Sequence, residues 1–271
     1  IAKTNLLDYS TWLPGTSGTQ AGFIAQGTAP ATENSIELGL DPYGRTNPLW
    51  RIPANTTVPD VGDGGWHTSY FSVSDTKTYR FVVYFKCSSL DGYTYFGVDY
   101  NGTQNILNLN GTVNNNPYFN IIIDPPVLDR WYMAIGYVHS KDTTRTTHLG
   151  GVYDMVTGQK VADCADFKWK PGTTQAMHRA YYYHFYATTG SKQYFWGPRV
   201  EVCDGTELPL EQLIDAIAGT QYLGKFNAAH PSSYNNGDYW LVYDTDDSPI
   251  QRGVWYSNNG TPTRISPVVG E

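Results

Sequence analysis

The sequence predicts an all-β chain folded as a sandwich or barrel. Three observations carry this. Short runs of aromatic and β-branched residues recur along the chain, each closed by Gly, Pro, Asn, Asp or Ser. Aromatics make up 15% of the 271 residues, with 22 Tyr, 10 Phe and 8 Trp, and such residues suit a pleated, half-buried surface. One segment, Pro209 to Ala218, carries a convincing helical apolar period.

Leu6, Leu7 and Trp12 anchor an opening strand ahead of a Gly/Thr/Ser/Pro-rich stretch. Ser35 to Leu40, SIELGL, is a short strand closed by Asp41-Pro42-Tyr43-Gly44, a turn by its chemistry. Leu49 to Ile52 is another, followed by a loop that holds Gly62-Asp63-Gly64-Gly65 and ends at Trp66. Tyr79 to Lys86, YRFVVYFK, is the clearest core strand of the first half, with Tyr93 to Asp99 expected as its neighbour. Asn101 to Asn116 is Asn- and Gly-rich around a small apolar centre, Ile106 to Leu109. Asp129 to His139 alternates well and is expected to be a central strand. His148 to Tyr153 and Gln159 to Cys164 flank Thr157-Gly158 as a hairpin.

Arg179 to Tyr186 and Lys192 to Cys203 read as two strands of a further hairpin, joined by a Thr-Thr-Gly-Ser turn. Successive strand side chains point to opposite faces, so one face is core and the other carries rings that can meet a ligand. In PLEQLIDAIA, Leu210, Leu213, Ile214 and Ile217 share a face, and Gly219 follows as a C-cap. From Thr220 the pattern restarts, and Tyr239 to Tyr243 with Gly253 to Tyr256 read as a small antiparallel unit. The predicted organisation is a sandwich over residues 1–219 and a small β appendage over 220–271 for docking or oligomerisation.

Charged residues are only 16%, and the net charge is −7. Phosphate binding needs clustered Lys and Arg, so nucleic acid is excluded as the expected partner. No apolar run is long enough to span a bilayer. The composition fits an extracellular or virion protein. Cys87, Cys164 and Cys203 lie far apart with no C-x-x-C, and they read as free thiols.

No phosphate loop, dinucleotide fingerprint, G-x-S-x-G elbow or H-E-x-x-H occurs. A glycosidase needs two carboxylates facing across a sugar; Asp91, Asp99, Asp124, Asp129, Glu201 and Asp204 are the candidates. A Tyr/His lyase site is also conceivable, but composition alone makes both common by chance, and the chain is expected not to be an enzyme. Calcium is the better-motivated ion, because Glu33, Asp60, Asp63 and Asp204 are hard oxygen donors in turn-rich stretches. Sugars stack on exposed rings. Trp66, Tyr70, Tyr118, Tyr182 and Trp196 lie near Gly/Asn/Asp-rich loops and are the predicted glycan contacts.

A resemblance adds to this reading. Asn5-Leu6-Leu7, Asp63 to Phe71, Asp75 to Phe81, Asp129-Arg130-Trp131-Tyr132, Gly136 to His139, His178 to Tyr181, Tyr194 to Arg199 and Cys203 to Glu207 together resemble sandwich modules of bacteriophage tail fibres and related appendages. The likeness covers about residues 5 to 217. It implies a jelly-roll, antiparallel β-sandwich of the carbohydrate-binding-module kind, adhesion to a cell-surface polysaccharide or other glycan, and a trimeric fibre. It carries over no catalytic residue. The chain opens at Ile1 and lacks a heptad shaft, so it is expected to be a fragment of a longer fibre protein or to assemble by other means.

Overall fold

The computed structural model describes residues 5–53, 61–89, 92–99, 105–122, 125–184 and 192–214, and four further strands between 222 and 266 as backbone alone. The side chains of residues 61–63, 122, 184 and 211–212 also lie outside the described set. The chain runs β1 (Phe23–Ala25), α1 (Pro30–Glu33), β2 (Ser35–Leu40), β3 (Thr46–Pro53), β4 (Val61–Thr68), β5 (Phe71–Ser72) and β6 (Tyr79–Cys87). There follow β7 (Gly92–Asp99), β8 (Ile106–Asn108), β9 (Tyr118–Ile122), β10 (Tyr132–His139), β11 (Gly151–Asp154), β12 (Lys160–Asp163) and β13 (Phe167–Trp169). β14 (Gln175–His184), β15 (Lys192–Val202) and α2 (Leu210–Ile214) complete this part. β16 (Tyr222–Asn227), β17 (Tyr239–Tyr243), β18 (Gly253–Asn258) and β19 (Thr261–Ser266) form a four-stranded sheet of their own.

The fold is an all-β, jelly-roll-like antiparallel sandwich. A six-stranded sheet has the order β1-β4-β14-β7-β9, with β5 attached to β14. A nine-stranded sheet has the order β12-β11-β10-β6-β15-β3-β2, with β13 and β8 beyond β10. Most pairings are antiparallel, while β10 with β13 is parallel. The predicted pairing of β11 with β12 is present, as is that of β17 with β18.

Two expected neighbours are not partners. β6 pairs with β10 and β15, whereas β7 pairs with β14 and β9. β14 and β15 likewise belong to different sheets and do not form a hairpin. Sheets in a sandwich pack about 10 Å apart, a gap that a short connection can cross. The predicted loop Gly62-Asp63-Gly64-Gly65 is also strand, inside β4. There a Cβ on Gly65 would lie 2.2 Å from the Ala180 carbonyl oxygen, so glycine permits close pairing with β14.

The core is the space between the sheets. Trp50, Phe81, Val83, Phe85, Tyr132 and Phe195 face inward from one side, and Trp66, Phe96, Phe119 and Tyr182 from the other. Trp12 plugs the end of this layer, edge-on to Phe23 at 5.2 Å and to Trp50 at 5.5 Å between ring centroids. Aromatic pairs favour such T-shaped contacts.

The middle of the nine-stranded sheet's outer face is covered too. Leu49, Val82, Tyr84, Met133 and Ile135 pack with Leu208, Leu210, Leu213 and Ile214. This explains why β6 is apolar on both faces, a pattern typical of strands buried on both sides. The hydroxyls of Tyr43 and Tyr84 both donate to the Leu213 carbonyl at 3.0 Å. Arg80 and Glu201, both almost fully buried, form an ion pair beneath this segment, and Arg80 also donates to the Leu208 carbonyl. The helix expected over Pro209 to Ala218 is described from Leu210 to Ile214; the remainder lies outside the described residues. Cys87 and Cys164 are buried free thiols, and Cys203 is half-buried and free.

His178 sits wholly inside this core among Trp66, Phe81 and Phe96, with both ring nitrogens unpaired. Burial lowers its pKa from 6.5 to about 3. The unfolded chain therefore binds a proton that the folded one refuses, so this contribution to stability is complete above pH 6.5 and is lost as pH falls toward 3. Replacing His178→Phe is expected to flatten the pH dependence of urea stability between pH 6 and 4 by about 1.4 kcal/mol per pH unit. An unchanged slope would show that His178 is not carried neutral in the core.

Candidate functional site

The site is the outer face of the six-stranded sheet, and the pleat of β14 creates it. His178, Ala180 and Tyr182 point inward at no more than 1% exposure, so Arg179, Tyr181 and Tyr183 point outward. Register then places Gly97 beside Arg179, Tyr95 beside Tyr181 and Tyr93 beside Tyr183. On the next strand Tyr118 lies opposite Gly97. On the other side His67 is paired with Arg179 and Gly65 with Tyr181.

The rings touch. The Tyr95 centroid is 4.8 Å from that of Tyr183 and 4.9 Å from that of Tyr118. Tyr118 and Tyr181 are 6.4 Å apart. All four rings, and Tyr93 with them, are half-buried. Gly97 allows Tyr118 to lie across β7, since a Cβ there would meet Tyr118 Cδ1 at 2.7 Å. Arg179 fills the space beneath, its Cζ 3.9 Å from the Tyr118 centroid, a cation–π contact. Its Nη1 lies 3.3 Å from Asp99 Oδ2. Its Nη2 donates to Asn116 Oδ1 at 3.0 Å and to the Pro117 carbonyl at 3.4 Å.

Burial pushes the Tyr181 phenol up to about 12, against the opposing pull of Arg179. It raises Tyr118 and Tyr95 as well. These hydroxyls stay protonated at neutral pH and can donate hydrogen bonds. The arrangement offers ring faces, phenol hydroxyls and a nearby amide, which are the groups that hold a sugar by stacking and hydrogen bonding.

Of the rings predicted to contact glycan, Tyr118 alone belongs to this face. Tyr70 is 42% exposed, at the rim of a separate cavity of about 300 Å³ lined by Leu6, Asp8, Thr11, Phe23 and Ser69 among others. Trp66 is corrected to a core residue. It has 0% exposure and packs edge-on to Phe23 at 5.2 Å and His178 at 5.0 Å, because its strand position faces inward. Tyr182 is likewise corrected to the core, at 1% exposure. Trp196 stands on the opposite sheet, half-buried among Tyr9, Tyr43 and Tyr84, and its indole nitrogen is enclosed. It packs with the covered outer layer rather than offering a platform.

The expected calcium donors do not converge among the described residues, where no group of three or more His, Cys, Asp or Glu could hold a metal ion. Glu33 is buried and closes its own turn, accepting from Thr28 Oγ1 at 2.8 Å and the Ala29 amide at 2.7 Å. Asp204 is an exposed turn residue whose Oδ1 accepts from the Thr206 amide and hydroxyl. Asp60 and the side chain of Asp63 lie outside the described residues.

Sequence reasoning missed Tyr95, Tyr181, Tyr183 and Arg179. The signal was present as parity. In His178-Arg179-Ala180-Tyr181-Tyr182-Tyr183 and in Tyr93-Thr94-Tyr95, alternate residues form one face once a single inward residue is known.

No protein-family model and no curated protein matches the sequence. Among solved structures, a protein described under carbohydrate-binding module 4 structure and function is similar at 9% identity and a TM-score of 0.34, covering 67% of this chain and 86% of that one. A protein from Bacteroides thetaiotaomicron described as sugar-binding is similar at 10% identity and a TM-score of 0.38, covering 74% and 100%. An exo-beta-agarase is similar at 11% identity and a TM-score of 0.38, and this chain spans 26% of its length. The neighbours thus include both binding modules and enzymes that act on carbohydrate.

Trp66→Ala is expected to cost about 3–5 kcal/mol of folding stability, the loss typical of a large buried ring, measured by urea denaturation. A change below about 1 kcal/mol would return Trp66 to the surface.

Proposed function

We propose that this chain is a non-catalytic glycan-binding module that takes its ligand on the tyrosine face. The observation that carries the reading is the contiguous cluster Tyr95, Tyr118, Tyr181 and Tyr183, half-buried on the outer face of one sheet. Isolated surface aromatics are ordinary, whereas a grouped patch marks an interaction site. Of the carboxylates considered for glycosidase work, Asp99 pairs with Arg179 on one sheet and Glu201 with Arg80 and Arg199 on the other, so these two do not face each other across a sugar. The finer proposal is adhesion to a cell-surface polysaccharide as part of a phage tail fibre or similar extracellular appendage, resting on the sequence resemblance.

The test is a glycan-array screen of the purified protein, with calcium and again with a chelator, because a calcium site involving Asp60 and Asp63 is part of the proposal. Selective binding is expected. Tyr95→Ala and Tyr183→Ala are each expected to weaken it about tenfold or more, ~1.4 kcal/mol, with a stability loss near 1 kcal/mol. A blank array from folded protein in both conditions would favour a structural subunit instead.

The proposed homo-oligomer, a trimer if the chain is part of a fibre, has its own support. β2 ends the nine-stranded sheet; residues 15–18 bond its outer edge over 34–36, while Leu38 and Leu40 farther along are 60% and 57% exposed. Apolar stretches left open on an edge strand invite pairing. Leu38→Lys is expected to lower the mass measured by light scattering to that of a monomer. A wild-type protein that is already monomeric would remove the proposal.

A further inference from the structure

Charge on the tyrosine face is internally cancelled. Among the described residues the fixed cation of this face is Arg179, and it is only 6% exposed. One side of its guanidinium is closed by the Tyr118 ring. Its two terminal nitrogens are taken by Asp99, Asn116 and the Pro117 carbonyl. An incoming carboxylate or sulfate would have to displace Asp99 and part Arg179 from Tyr118. Arg179 is the buried member of this pair, at 7% side-chain exposure against 22% for Asp99, and a buried charge resists losing the partner that compensates it.

The rings do not form a plane. Tyr95 and Tyr118 are inclined at 67°, Tyr95 and Tyr183 at 53°, and Tyr118 and Tyr181 at 76°. A flat ligand surface, such as packed insoluble chains, needs coplanar rings to lie upon. Inclined rings make a corrugated bed, which suits one chain able to offer a different ring edge to each tyrosine.

We infer that the ligand of this face is a single chain of an uncharged polysaccharide, held by ring stacking and hydroxyl hydrogen bonds, and that the Asp99–Arg179 pair is what refuses acidic polymers. This rests on the glycan-binding reading above and adds the substrate class to it. Asp99 and Arg179 act as specificity-determining residues without serving as the stacking platform.

The experiment is affinity electrophoresis of the whole chain in gels carrying a neutral soluble polysaccharide, a polyuronate or a sulfated polysaccharide, at low and high salt. A panel of neutral backbones covers different linkages. Retardation by a neutral polymer is expected, with little change between low and high salt, because counterion release follows charge contacts and none is made. Asp99→Asn is then expected to gain several-fold retardation by the polyuronate at low salt, and to lose that gain at high salt. Circular dichroism checks that the variant is folded; if it is not, Asn116→Ala, which frees one Arg179 nitrogen while keeping the charge balanced, is expected to leave the preference for neutral polymer intact. Salt-sensitive binding confined to the acidic polymers would overturn the inference while leaving the glycan-binding reading in place. Binding confined to insoluble polysaccharide would also overturn it. Absence of retardation by every polymer would remove the reading itself and the inference with it.

Discussion

The alternation of side chains along β14 is the constraint on which the rest depends. That strand gives residues to both the core and the candidate site, with β7 paired in full register beside it. Turning His178, Ala180 and Tyr182 inward fixes Arg179, Tyr181 and Tyr183 outward, since a slip of one residue would exchange the two sets. Such a slip would place the Arg179 charge in the aromatic core and expose Ala180. The penalty for burying an unpaired charge is large, so register and site are specified by the same energetics.

The two sheets solve different problems. The middle of the nine-stranded sheet is covered on both faces, inside by the main core and outside by the α2 segment. The six-stranded sheet leaves its outer face half-open. This division explains why Trp196, which looks available in sequence, packs among Tyr9, Tyr43 and Tyr84, while Tyr118, no more conspicuous, joins the tyrosines of the half-open face. It also accounts for polar groups inside the covered layer. Arg80 and Glu201 satisfy one another there and fasten the Leu208 backbone.

Much of the fold was legible in sequence because strand chemistry is local. The runs at Ser35 to Leu40, Tyr79 to Lys86 and Tyr93 to Asp99 carry their own alternation and turn punctuation, and the structure places strands on each. Partnership between strands was not legible in the same way. The connections of β6 to β7 and of β14 to β15 each cross between sheets, and nothing in a short polar linker distinguishes that path from a hairpin. The site suffered from the related problem of parity. Trp66 follows four residues that read as a glycine loop, yet those glycines are strand positions that let β4 press against β14. Tyr182 stands between two tyrosines of the opposite face, and composition treats all three alike.

The carbonyl of Leu213 is held by two phenols, Tyr43 from the loop before β3 and Tyr84 from the middle of β6. This is the last turn of described chain before the strands beyond residue 220. The α2 segment is therefore tied to the loop before β3 and to β6 as well as, through the backbone, to β15. Loosening its end would release contacts on three separate parts of the sandwich at once.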